Sequence, residues 1–514
     1  MRKNIFRAVL LILVLGCASG GKAAAQQCGF NAVGDFICPR DGLEEFRPPA
    51  NPFERPPPSR PPVYAPPVTL PEPWRKKQIA LAECFRDAIA DSGGEFGVDE
   101  CNDVRQCMID KGYEDPGFTC SPPGAGGPPV ALCIPPGNTE VAATCRSIQS
   151  VLASAACGTT INLSPGDCGG FTYDKNCAQG SPVVITAGTQ TGVRFTGAIN
   201  VLGSGLIIHG AEISNMITVD GDYNRVTQAL FTAGGRINYL EGSSYNRFDH
   251  NDVTPGAITR PFMGFFRPRN TEQMYLSNGI DSNYFSSPGA SGGLGMAIFL
   301  GMYGADEGYP YLRQFGMAGT VIANNLFEDW GGTAVEIKFS ENFVTVNTFR
   351  NSGRLLLRHG YHNTVDANCF ERSQGVDVRE ADHIISNNYL DGGKIDLLMG
   401  VRKYQDGTCF QYRHWIPAAF DPQQGAPQGP PAVNVTVLNN RGSLRLGADE
   451  GGRDCEMPVL NTNIQCHEGP VEITNDWGTR GQTSSGAIGS CGFTMPHCLT
   501  REEVGRGSPD EQCE

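Results

Sequence analysis

Residues 321–390 read "VIANNLFEDWGGTAVEIKFSENFVTVNTFRNSGRLLLRHGYHNTVDANCFERSQGVDVREADHIISNNYL", and their internal repeat decides the fold. Apolar or β-branched residues lead four times into an Asn, one residue, and then an aromatic or aliphatic side chain. The four asparagines, Asn325, Asn347, Asn368 and Asn388, are spaced 22, 21 and 20 apart. The slot recurs upstream in "NRVTQALF" (224–231), "NRFDHNDV" (246–253) and "NGIDSNYF" (278–285), and downstream in "NVTVLNNRGSLRLG" (434–447). Asn283 lies 42 residues before Asn325, about two periods. A unit of this length fits one coil of short strands joined by turns. Stacked coils would align the asparagines as a hydrogen-bonded ladder and pile Phe327, Phe349 and Phe370 in the core. The expected fold is therefore all-β, a right-handed parallel β-helix, a solenoid held by nearest-neighbour contacts. Leucine-rich and propeller repeats have other periods and signatures.

Strand alternation then assigns the faces. Val335, Ile337 and Phe339 point inward, as do Leu355, Leu357, Val376 and Val378. Glu336, Lys338, Ser340, Leu356, Arg358, Asp377 and Arg379 point outward. Lys338 stands nine residues before Asn347, Arg358 ten before Asn368, and Arg379 nine before Asn388. With a slip of one residue, the three cations form a column on one outer face. Stacked like charges repel, so such a column calls for an anionic partner. Repulsion also favours release of a proton from the one member that can readily lose it, which suits general-base chemistry. The competing reading is an ordinary solvated face in which Glu336 pairs with Lys338 and Asp377 with Arg379.

The chain has 514 residues, 65 of them Gly and 18% charged, which suits a turn-rich β protein long enough for several domains. A net charge of −14 argues against nucleic-acid binding but leaves room for a local basic groove that takes a polyanion. Residues 1–25 read as an export signal: Arg2, Lys3 and Arg7 precede a short apolar run. Val14-Leu15-Gly16-Cys17 resembles a lipoprotein box, in competition with a signal-peptidase site after Ala23-Ala24-Ala25. Residues 26–73 form a proline-rich linker, with 12 prolines between 48 and 73. Residues 74–138 read as a small helical module stapled through Cys84, Cys101 and Cys107. Residues 139–480 hold the β-helix, opened by "TEVAATCRSIQSVLASAA" as an amphipathic helix that caps the stack. Residues 481–514 form a cysteine-containing tail. Of 19 cysteines, 18 remain once Cys17 is set aside, an even number that suits disulfides in an exported protein.

The ordered set "EIKFSEN", "NTF", "LLLRHGYHNTV", "NCF" and "ISNNYL" resembles polysaccharide lyase family 6, the chondroitinase-B-like and alginate lyases. Lys338 matches the family's lysine, although Phe339 replaces the usual Ser, and Arg358-His359-Gly360 match its Arg-His-Gly. The resemblance implies a right-handed parallel β-helix and β-elimination on a uronic-acid polysaccharide. Lys338 would be the base, and Arg358 the stabiliser of developing charge and acid toward the leaving oxygen. His359, Arg379 and Glu336 would face the substrate. The family's calcium site departs here. The acidic positions five and seven before the lysine are Thr333 and Gly331, and "SGGLGMAIFLGMYG" offers no Asn-Glu pair. No metal and no cofactor are therefore expected, with Arg379 neutralising the substrate carboxylate. Lys394, Arg402 and Arg413 are candidates to extend the groove, and Asp249 and His250 read as turn structure. The expected partner is an anionic polysaccharide, alginate ahead of dermatan or chondroitin sulfate, bound by a monomer. The location would be periplasmic, secreted, or anchored to the outer membrane by lipid on Cys17. Two other readings share the groove: a non-catalytic acidic-glycan binder and a uronate C5-epimerase.

Overall fold

The computed structural model divides into two compact units, Met1–Val68 and Thr69–Glu514. It describes residues 139–506 except 188–191, 241–242, 266–274, 292–294, 302–316, 361, 399–431, 434, 449–458, 461, 474–475 and 478–492, together with 29–30, 36–37, 84, 106–107 and 110–111. The export signal, Cys17, Arg402 and Arg413 lie outside the described residues, as do most of the proline-rich linker and most of the cysteine-rich module. In the first unit the strands Gly29–Phe30 and Phe36–Ile37 pair antiparallel. Of the cysteine-rich module, the Cys84–Cys107 disulfide is described.

The second unit is a parallel β-helix. Each complete rung holds three short strands, as in Val321–Ala323, Leu326–Glu328 and Val335–Ile337. Each strand pairs in parallel with its counterpart one rung on. Val321–Ala323 pairs with Phe343–Thr345, Leu326–Glu328 with Thr348–Arg350, and Val335–Ile337 with Leu355–Leu357. One face is a continuous sheet of thirteen strands; the other two share a sheet of twenty-one. Strands of three residues cannot bury a core alone, so stability comes from stacking.

Two internal columns hold the rungs in register. Phe285, Phe327, Phe349 and Phe370 stack with centroids 4.8, 4.8 and 4.6 Å apart and nearly parallel rings. Each such contact is worth about 0.5–1.5 kcal/mol beyond the buried area. The expected asparagine ladder runs through Asn251, Asn283, Asn325, Asn347, Asn368, Asn388 and Asn440, each Oδ1 accepting the backbone N–H of the preceding member at 2.9–3.0 Å. The residue before each ladder Asn is left-handed, including Ser282, Asn324, Val346, Ala367, Asn387 and Asn439. That conformation turns the chain from one face to the next.

The expectation for 139–156 is corrected in part. Thr139–Ala143 is a strand paired with Thr159–Leu163 and forms the first rung; only Ile148–Ser154 is helical. This helix still caps an open edge: the Gln149 side chain donates to the Thr172 carbonyl (3.0 Å) and accepts its N–H (2.8 Å). Asp249 and His250 lie buried in the stack. Burial pushes the Asp249 carboxyl up, but Arg225 and Arg247 outweigh it and hold it well below the usual carboxylate range.

Disulfides Cys145–Cys168 and Cys157–Cys177 staple the first rungs. The tail returns across the stack as a strap. Cys498 is bonded to Cys369, and the Leu499 N–H donates to Thr348 Oγ1 at 2.7 Å. Arg501 lies over the Tyr284 ring and reaches Asp252, and the Gly505 N–H donates to the Ser282 carbonyl.

Candidate active site

The three cations owe their positions to strand register. Ile337 pairs with Leu357 and Leu357 with Val378, so the next residues, Lys338, Arg358 and Arg379, stack directly. Their backbone N–H groups donate in the same way to Leu300, Ile337 and Leu357 of the preceding rungs, at 2.8, 2.8 and 2.9 Å. No slip is needed within the column. From Lys338 to Asn342 the chain takes four steps and from Arg379 to His383 four, but from Arg358 to Asn363 it takes five. The turn through Gly360 absorbs the extra residue. Gly360 has φ 90°, and a Cβ there would stand 2.1 Å from the Phe339 carbonyl oxygen, so glycine is required.

Glu336 lies on the same face and is only 2% exposed. One of its oxygens, Oε1, is 3.5 Å from Lys338 Nζ and 3.3 Å from Arg358 Nη1. The carboxylate thus bridges the two cations beneath the surface rather than pairing with the lysine alone. Lys338 is 6% exposed and the Arg358 side chain 22%, so the guanidinium is the more open of the two. Asp377, expected beside Arg379 in the solvated-face reading, accepts a hydrogen bond from Arg354. Lys394 is exposed in the middle of the strand Tyr389–Leu398, in register with Gly375, and lies outside the column.

His359 turns inward. It is buried, with Nδ1 3.1 Å from Glu380 Oε1. Arg379 is also buried, and its carbonyl accepts from His383 Nε2 at 2.9 Å. His383 Nδ1 accepts the Asn363 N–H at 3.1 Å, which fixes a neutral ring with its proton on Nε2. Sequence reasoning missed this histidine. The signal was present: His383 fills the slot that Asn342 and Asn363 fill on preceding rungs, a second ladder in which the Asn342 N–H donates to Asn363 Oδ1 at 3.0 Å. Burial, with His362 nearby, lowers the His383 imidazole to about 3; burial lowers His362 to about 4.

The residues do not fit the calcium site that the family resemblance implies. At Gly331 a Cβ would stand 2.6 Å from the Ala290 carbonyl oxygen and 2.9 Å from that of Pro288, so no carboxylate side chain can be carried there without moving backbone. Thr333 supplies no charge. Among the described residues one trio of ligand-type side chains converges, Cys369, Glu371 and Cys498, and its two sulfurs are bonded to each other.

Residues 143–396 match the family model described as Chondroitinase B. Among solved structures the chain is similar to the PL6 family alginate lyase AlyGC, at 20% identity and a TM-score of 0.52 over 66% of this chain and 49% of that one. This chain therefore spans about half the length of that relative. It is also similar to a PL6 polysaccharide lyase from Pseudopedobacter saltans, at 16% identity and a TM-score of 0.51 over 73% and 100% of the two chains. A third is a mannuronic acid specific family 6 lyase from human gut microbiota, at 16% identity and a TM-score of 0.50 over 65% and 83%. These likenesses support the fold. No curated protein matches.

Proposed function

The β-helix of this chain belongs to the chondroitinase B family of polysaccharide lyases, and from that premise we propose that it cleaves an anionic polyuronate, alginate in the first instance, by β-elimination. The observation that carries the reading is the stacking of Lys338 and Arg358 on adjacent rungs, tied to one carboxylate oxygen of Glu336. A uronate ring set over this column would place its carboxylate among cations, which makes the C5 proton acidic. Lys338 takes that proton as the general base. The electron pair passes through an enolate-like state into a C4–C5 double bond, and the C4–O bond breaks. Arg358 stabilises the developing charge and protonates the leaving oxygen across their hydrogen bond, to be reprotonated by solvent. Glu336 holds the two groups at their spacing. Arg358, the most open cation of the column, meets the substrate carboxylate, with Arg379 adding positive charge from beneath the surface on the next rung. The alginate lyases among the similar structures support the substrate class.

The test is incubation with alginate blocks, dermatan sulfate and chondroitin sulfate, with and without EDTA, following the ultraviolet absorbance of unsaturated uronate ends. Lys338→Ala and Arg358→Ala should each lower kcat/KM by about 10²–10⁴-fold. An unaffected Lys338→Ala removes the base, and activity lost on chelation removes the metal-free site. Binding without unsaturated ends would make the protein a glycan binder. Exchange of the C5 proton with solvent, without cleavage, would make it an epimerase.

A further inference from the structure

A side chain leaving the end of a regular strand points away from the sheet, yet Lys338 is almost wholly buried. Part of its cover lies one rung below. Leu300 pairs with Ile337, so Gly301 sits directly under Lys338 and Phe299 directly under Glu336. A Cβ on Gly301 would stand 2.9 Å from Lys338 Cβ, 2.9 Å from Cδ and 3.0 Å from Cγ. The lysine stem therefore lies flat across position 301, in the space any other residue would fill. It carries the amine back over the preceding rung, where Nζ lies 5.1 Å from the centre of the Phe299 ring. Glu336 Oε1 holds the amine from its own rung. Gly301 is outside the left-handed region, so its backbone does not itself demand glycine. The close approach of the lysine does.

We propose that Gly301 and Phe299 form a seat that positions the Lys338 amine, and that they are positioning residues for the elimination. The inference rests on the reading of Lys338 as the base. The seat draws the stem toward the rung below while Arg358 occupies the rung above, so the two reacting groups approach a sugar from different levels of the stack. A seat of this kind also keeps the amine from swinging among solvent-facing rotamers between turnovers. Displacing a reacting group by about 1 Å can cost about 100-fold in rate.

The experiment compares Gly301→Ala and Phe299→Leu with the parent chain. Gly301→Ala should lower kcat by about 10–100-fold with KM within about 2-fold, and Phe299→Leu should act in the same sense but less. In a Lys338→Ala background, Gly301→Ala should have no further effect, because it acts through the lysine stem. A second readout does not depend on turnover: reductive methylation, resolved by peptide mass spectrometry, should modify Lys338 several-fold faster in both variants. Wild-type kcat together with a wild-type labelling rate in Gly301→Ala overturns the seat. If Gly301→Ala fails to fold, Phe299→Leu, which leaves the backbone free of new contacts, decides on the same two readouts. Faster labelling with Lys338→Ala still active would keep the seat and discard the base.

Discussion

Asn347→Ala tests the physical basis of the whole stack. Asn347 is fully buried, and every polar atom of its side chain is used. Its Oδ1 accepts from the Asn325 backbone N–H and from Asn325 Nδ2, both at 3.0 Å. Its Nδ2 donates to the Ile322 carbonyl at 2.8 Å, the Thr345 carbonyl at 2.9 Å and Asn368 Oδ1 at 3.0 Å. Alanine leaves the Asn325 N–H buried without that acceptor, at about 1–3 kcal/mol. Two backbone carbonyls and two neighbouring ladder amides each lose one further bond. We expect a total of about 3–5 kcal/mol, a large share of the stability of an ordinary domain. Urea unfolding followed by the fluorescence of buried Trp330 reads the loss as a lower midpoint. Hydrogen exchange should show the Asn325 amide opening faster than amides several rungs away. A loss under about 1 kcal/mol, or no local change in exchange, would mean the ladder decorates the stack rather than holding it.

Other perturbations separate the remaining features. Val346 is β-branched yet has φ 54°, in a column whose neighbours include Asn324, Asn387 and Asn439; Val346→Asn should raise stability by about 1 kcal/mol, read as a higher urea midpoint. Gly360→Ala should displace the Arg358-His359 turn and lower kcat by about 10²-fold or more, and wild-type kinetics would refute the close approach to Phe339. His362 and His383 are neutral in the fold, lowered to about 4 and about 3, whereas an unfolded histidine takes up its proton near 6.5. The unfolded chain therefore binds more protons below pH 6.5, and stability is full above that value and falls with pH toward 4 and 3. At pH 5 each histidine should cost about 2 kcal/mol. His383→Asn, which restores the ladder residue, should flatten the fall measured by thermal melting between pH 7 and 5.

The rungs were legible because a solenoid writes its period into the chain. Asn325, Asn347 and Asn368, and Phe327, Phe349 and Phe370, occupy equivalent positions on successive rungs, so spacing alone places them. The cation column was legible for the same reason, apart from the extra residue at the Gly360 turn, which register assigns and counting from asparagines does not. The bridge at Glu336 was half legible: alternation puts it on the face, but its reach to Arg358 is a contact between rungs. Thr139–Ala143 was misread because it is an edge strand, largely exposed and without the alternation that burial imposes. His383 was missed because a ring does in this slot what an amide does elsewhere. The strap has no period, and contacts such as Arg501 to Asp252, 249 residues apart, leave no mark in local pattern.

That strap changes how the molecule comes together and apart. An untied solenoid can grow or fray one coil at a time from either end. Here a segment that follows the coils in chain order is fastened back onto several of them, with a covalent knot across 129 residues. It can close only after the rungs it crosses have formed, and while it holds, those rungs must come loose together. A stretch that emerges after these coils during synthesis thus acts as a latch, making the coils it crosses open and close as one.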